Sequence, residues 1–173
     1  MAQQNKELAG LTTEGRNPNS AALDTLSTME LLTLINHEDQ TVPDSVAQAL
    51  PAIAQAVEMI VAAFKAGGRL LYVGAGTSGR LGVLDASEVP PTFGVDPGLI
   101  QAVIAGGKEA VFQAVENCED DAACGGADLE NQTIGSRDVV VGIAASGRTP
   151  YVIGALQAAK RHGAETIALV CNQ

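Results

Sequence analysis

The feature that most narrows what this chain can fold into is a short apolar run, Leu70-Leu71-Tyr72-Val73. It ends in Gly74-Ala75-Gly76-Thr77-Ser78-Gly79-Arg80 and leads straight into residues with helical apolar spacing. A strand, a glycine-rich turn and a helix in that order set backbone N–H groups and a helix N-terminus against an anion. From Arg69 onward short apolar runs alternate with helical stretches. Strands are predicted at residues 70–73, 100–105, 139–143 and 166–170, with helices starting near Ser78, Gly107 and Thr149. Such alternation requires right-handed crossovers and a parallel sheet covered on both faces. The predicted fold class is therefore α/β, a three-layer sandwich with a parallel sheet, preceded by N-terminal helices. Apolar residues make up 46% of the chain and aromatics only 3%, a stock of small aliphatics that suits parallel strands under close-packed helices.

Ahead of the sheet, residues 1–26 mix polar residues with Asn17-Pro18-Asn19 and read as an irregular arm that orders only against another surface. Ser27-Thr28-Met29-Glu30 has capping-box spacing, which predicts a helix to about Glu38 with a sticky face of Met29, Leu31, Leu32, Leu34 and Ile35. Pro43 suits the first turn of a second helix that runs toward Lys65 and stops at Gly67-Gly68. Pro51 lies inside it and predicts a kink or a break into two pieces. Two parts result, an arm and helix over residues 1–42 and a ligand-binding domain over 43–173.

The net charge of -10 over 173 residues argues against nucleic acid or an anionic membrane as a partner, since both select basic stripes. Residues 1–10 lack the apolar core of a secretory signal, and the most apolar helix-like run, residues 53–64, is short and carries Glu58. A soluble cytoplasmic protein is expected. Cys118, Cys124 and Cys171 lack paired zinc-site spacing, and neither His37 nor His162 is close enough in sequence to complete a set, so no metal is expected.

In parallel α/β sheets ligands bind beyond the carboxyl ends of the strands. Two loops are singled out by that rule, Gly74 onward and Ala144-Ala145-Ser146-Gly147-Arg148-Thr149-Pro150, each with hydroxyls, a glycine and a helix start. A phosphate, with its charge and several acceptor oxygens, suits two such loops facing one point. The first loop also satisfies G-x-G-x-x-G, but a dinucleotide needs an acidic residue at the end of the next strand, where this chain has Ala105-Gly106-Gly107. A phosphorylated small molecule is thus preferred over a nucleotide cofactor, with glycines that merely permit tight strand-to-helix packing as the third reading. The phosphate contacts expected are Thr77, Ser78, Ser146 and Thr149, with Gly76, Gly79 and Gly147 allowing close approach. Arg80 and Arg148 either add charge there or pair with local carboxylates.

Gly74-Ala-Gly-Thr-Ser-Gly-Arg-Leu-Gly-Val-Leu-Asp-Ala-Ser-Glu88-Val-Pro-Pro-Thr-Phe-Gly94, together with Val140-Val-Gly-Ile-Ala-Ala-Ser-Gly-Arg-Thr-Pro-Tyr151, closely resembles the N-acetylmuramic acid 6-phosphate etherases. The likeness extends through Leu11-Thr-Thr-Glu-Gly-Arg-Asn17 and residues 36–43, nearly the whole chain. The glycine-rich loops alone indicate the broader sugar isomerase (SIS) domains, whose sheet is flavodoxin-like; the segment from Asp85 to Pro91 narrows the resemblance to the etherases.

The resemblance implies a cytoplasmic, cofactor-free lyase of cell-wall recycling that removes D-lactate from N-acetylmuramic acid 6-phosphate by elimination and water addition. It implies Glu88 as the acid toward the lactate oxygen and Glu119 as the base at C2. On the residues alone, Glu88 reads as a solvated helix residue just before Pro90-Pro91, where a helix is expected to end. Likewise Glu116, Glu119, Asp120 and Asp121 read as a solvated acidic run in which Glu116 is easily confused with Glu119. The resemblance also implies Glu14 as a ligand contact, a homodimer with its active site near the subunit interface, and a missing last strand and C-terminal helices after residue 173. A phosphosugar-binding regulatory protein and an aldose-ketose phosphate isomerase are the competing functions.

Overall fold

The computed structural model describes residues 12–172. Leu11 of the arm motif and residues 1–10, read above as no secretory signal, lie outside the described residues. Two compact units are present, one up to Val57 and one from Glu58 on.

In the first unit the arm is a series of single 3-10 turns, Thr12–Glu14, Pro18–Ser20 and Leu23–Thr25. A carboxylate binds its middle. Asn17 Nδ2 donates to Glu38 Oε2 at 2.6 Å and Asn19 Nδ2 to Glu38 Oε1 at 2.8 Å. The bonds from Asn19 and then Asn17 hold the Glu38 carboxyl below its usual range. Helix α1, Thr28–Asp39, begins with the predicted capping box: Ser27 Oγ accepts from the Glu30 N–H, and the Glu30 carboxylate accepts from the Ser27 N–H. Helix α2, Val42–Lys65, is a single element with Pro51 inside it, so the proline does not break it in two. Pro51 removes one N–H, and helix formers on either side keep the remaining ladder.

Taken together, α1 and α2, Thr28–Lys65, are long and apolar enough to cross a membrane by length and composition, which the short run 53–64 is not. The apolar residues of α2 form a stripe, though. Val42, Val46, Leu50, Ile53 and Val57 recur at three- and four-residue steps and are all exposed, the pattern of a helix that packs on one side.

The second unit is a three-layer α/β sandwich. Its strands are β1 (Leu70–Gly74), β2 (Ile100–Ile104), β3 (Val139–Ile143) and β4 (Glu165–Leu169), all parallel in the order β2-β1-β3-β4. Alternation sends successive side chains to opposite faces. Leu71, Val73, Val140 and Ala144 pack under α5 (Ala122–Glu130) and α6 (Pro150–Arg161). Leu70, Val139, Val141 and Ile143 pack against Ile60, Ala63 and Phe64 of α2 and Ala86 and Val89 of α3 (Gly76–Phe93).

Two expectations are corrected here. Helix α3 does not end before Pro90-Pro91 but runs on to Phe93, where Gly94 at φ 65° closes it with its N–H on the Pro90 carbonyl. The helix near Gly107 is a single turn, α4 (Glu109–Phe112), and the longer helix that follows is α5, which the sequence reading did not contain.

Candidate functional site

The chain steps from β1 outward to β2, then back across β1 to β3, so the order reverses between β1 and β3. These neighbours are in register to their ends, Gly74 opposite Ile143. The two hydroxyl-bearing loops therefore leave adjacent strands at the point where open α/β sheets bind ligands. Gly76, Thr77 and Ser78 form the first turn of α3 behind the N-cap Ala75, and first-turn N–H groups have no acceptor within their own helix. Thr77 is exposed and Ser78 half-buried.

The glycines of this loop divide by task. A Cβ on Gly74 would stand 2.6 Å from the Gly79 nitrogen, and one on Gly79 would stand 2.6 Å from Ile104 Cγ1. These two let strand and helix touch. Gly76, at φ 53°, has open space where a side chain would be and is the glycine that faces outward. On the other loop Ser146 Oγ accepts from the Arg148 N–H at 3.2 Å, Gly147 takes φ 70°, and Thr149 is the N-cap of α6. Arg148 is exposed.

Glu119 is drawn to this second loop through its backbone. The Tyr151 N–H, in the first turn of α6, donates to the Glu119 carbonyl at 3.0 Å. Just upstream, Cys118 packs against the core and Asn117 turns the chain at φ 63°. The side chains of Glu116 and Glu119 are both exposed. Tyr151 itself is fully buried, and its hydroxyl donates to Asp128 Oδ2 of α5 at 2.7 Å. Burial first, and the Asp128 carboxylate second, raise the phenol far above its ordinary value. The same two causes raise the Cys124 thiol, whose Sγ is 3.7 Å from Asp128 Oδ2.

A model of the glucokinase regulatory protein N-terminal SIS domain matches residues 52–160. The chain belongs to the SIS domain family. Over 166 residues it is 58% identical to an N-acetylmuramic acid 6-phosphate etherase of Caldanaerobacter subterraneus, a match covering 96% of this chain and 54% of the relative. Over 172 residues it is 56% identical to that of Pectobacterium atrosepticum, covering 99% of this chain and 57% of the relative. The chain thus spans about half the length of these curated relatives. Among solved structures, phosphoheptose isomerases of Neisseria gonorrhoeae and Francisella tularensis share the fold, each at a TM-score of 0.63 with 20% and 22% identity. The matches cover 82% and 84% of this chain and 73% and 75% of theirs.

Not every residue singled out in the sequence meets the others in this SIS domain. Glu88 is exposed on the same face of α3 as Thr77 but three turns on, about 16 Å at about 1.5 Å per residue. Glu14 closes the first 3-10 turn of the first unit and is exposed. Arg80 pairs with main-chain carbonyls rather than with a local carboxylate. Its Nε donates to the carbonyls of Ala110 and Val111 and its Nη2 to that of Gln113, so it binds the carboxyl end of α4. Neither the Tyr151 hydroxyl nor Asp128 stands out in the sequence. A usable signal was present in composition, since the chain has only two tyrosines, and both donate to an aspartate, Tyr72 to Asp85 at 2.8 Å and Tyr151 to Asp128.

An open groove of about 510 Å³ lies at the other end of the SIS sheet, lined by Met59, Ala63, Ala66, Arg137 and the first residues of β3 and β4. It offers an anion no glycine loop or α/β switch point, so the β1 and β3 loops remain the candidate site. Among the described residues no group of three or more His, Cys, Asp or Glu could hold a metal ion.

Proposed function

We propose that this chain is the phosphosugar-binding part of a cytoplasmic carbon–oxygen lyase that converts N-acetylmuramic acid 6-phosphate to N-acetylglucosamine 6-phosphate and D-lactate in peptidoglycan recycling. The observation that carries the proposal is the 58% identity to an etherase over 96% of the chain. The pairing of two hydroxyl loops at the β1–β3 switch point supports it. The first turn of α3 and the Ser146–Thr149 loop hold the 6-phosphate, leaving the ring-opened sugar to extend past Glu119. The C1 aldehyde acidifies the C2 proton, and the Glu119 carboxylate takes it. The C3–O bond then breaks with its electron pair going to the lactate oxygen, an acid protonates that oxygen, and water adds across the C2–C3 alkene to return a hydroxyl to C3 and a proton to C2.

The acid is assigned to Glu88, and its place on α3 bears on how it reaches the substrate. Three turns from the phosphate loop is farther than a hexose 6-phosphate extends from its phosphate to C3, even with the side chain leaning back toward the helix start. Leu81 and Leu84, on the same side of α3, are 56% and 57% exposed. We therefore assign this face to contact with a second copy, so that Glu88 of one protomer serves the sugar held by its partner.

The test is release of D-lactate from N-acetylmuramic acid 6-phosphate and from the unphosphorylated sugar. Release from the phosphorylated compound alone is expected, and equal turnover of both would remove the phosphate clamp. Saturable binding of the phosphosugar with no turnover by the full-length protein would favour a regulatory sensor, the class named in the matching family model.

A further inference from the structure

Tyr151 closes a ring of contacts around Glu119. Its N–H holds the Glu119 carbonyl at 3.0 Å. Two residues beyond Glu119, Asp121 caps α5 by accepting from the Cys124 N–H at 2.9 Å, and α5 then carries Asp128 back to the Tyr151 hydroxyl at 2.7 Å. Tyr151 is also in the first turn of α6, directly after the Ser146–Thr149 loop. One residue thus links the loop assigned to the phosphate, the segment that bears Glu119, and the helix that follows it.

The ring has one specific lock. Helices α5 and α6 meet backbone to backbone: a Cβ on Gly125 would stand 2.0 Å from the Tyr151 carbonyl oxygen, and one on Gly154 would stand 1.9 Å from that of Ala122. Glycine surfaces at a crossing bring helices close but supply no interdigitating side chains to fix how far one slides along the other. The half-buried Tyr151–Asp128 bond supplies that register, with Cys124 as a weak second donor to the same oxygen.

Resting on the reading of Glu119 as the base at C2, we propose that Tyr151, through Asp128, is a positioning residue that sets Glu119 against the sugar held by the phosphate loops. Tyr151→Phe removes only the hydroxyl and keeps both the amide bond and the volume. In the full-length protein, at a temperature where the variant is folded by circular dichroism, hydrogen exchange at C2 of N-acetylmuramic acid 6-phosphate should fall about tenfold or more in kcat, with KM within about twofold. Asp128→Ala should match it, whereas Asp128→Asn, which keeps an acceptor oxygen, should recover at least about half of the lost rate. Amide exchange of residues 113–121 should quicken in Tyr151→Phe and Asp128→Ala.

A Tyr151→Phe protein with unchanged C2 exchange, beside a Glu119→Gln protein that has lost it, would overturn the positioning role and leave the base assignment standing. A change confined to KM would overturn it too. C2 exchange surviving in Glu119→Gln would overturn the base assignment and this proposal with it.

Discussion

Asp138 and Arg69 lock the entrance to the two central strands. The Arg69 guanidinium contacts the buried Asp138 carboxylate with Nη2 at 2.8 Å and Nε at 3.2 Å, while the N–H groups of Arg69 and Gly135 donate to the same carboxylate. Burial pulls the Asp138 carboxyl up, but these bonds outweigh it and hold the group below its ordinary value of 3.8. Because the folded-state pKa lies below the unfolded one, ionised Asp138 contributes stability above the unfolded value, and the contribution fades as pH falls through the folded value. Asp138→Asn should cost about 2 to 4 kcal/mol near neutral pH. Thermal unfolding followed against pH checks the sign: the gap between wild type and variant should shrink below about pH 4, and a gap that stayed constant would show that ionisation is not what matters at Asp138.

Gly125→Ala should be among the most damaging conservative substitutions in the sheet unit, because the added methyl has only the Tyr151 carbonyl to occupy. Backbone cannot yield as a side-chain tip does, so a loss of about 3 kcal/mol or more is expected from urea unfolding. Gly135→Ala is the control. No atom lies within 4 Å of its would-be Cβ, and a change within about 0.5 kcal/mol is expected. Equal effects at the two positions would mean that the α5–α6 crossing tolerates separation.

The same glycines explain what could and could not be read from the chain. Strands β1 and β3 and the starts of α3 and α6 were legible because apolar runs ending in glycine and hydroxyl residues have few other uses. Helix α5 was not, since Gly125-Gly126 lowers helix propensity and only contact with α6 requires it. The run through Pro90-Pro91 misled in the same way: local rules end a helix there, yet packing of Val89 on the sheet and the Gly94 cap hold the last turn. At the site, the family resemblance named Glu88 and Glu119 together, but nothing in a linear pattern shows that one lies beside the Ser146 loop and the other three turns down α3. The partners of Arg80 could not be read because they are main-chain carbonyls, which no sequence displays.

That assignment of Arg80 is open to a direct check. If it binds the end of α4, Arg80→Gln should raise amide exchange across residues 107–113, while affinity for a hexose 6-phosphate, measured by calorimetry, should change less than about threefold. An arginine that contacts phosphate in water-poor surroundings would instead lose affinity by about tenfold or more. A tenfold loss with unaltered exchange would return Arg80 to the phosphate.

In the first unit, Glu38 receives Asn17 and Asn19 on its two oxygens, joining the arm to the last turn of α1. Ala at position 38 leaves both amides without that acceptor, so Glu38→Ala should release residues 12–26, seen as faster amide exchange or new proteolytic cleavage there. Unfolding of the sheet unit should stay where it was. Acid should mimic the variant. The Glu38 carboxyl is held below its usual range, so the clamp is intact above the ordinary glutamate value and weakens as pH falls through the lowered one. Protection of the arm that persisted in Glu38→Ala would place its anchor elsewhere. Since Glu14 stands on the first turn of the same arm, loss of phosphosugar turnover in Glu38→Ala with an unchanged melting temperature would tie the arm to catalysis.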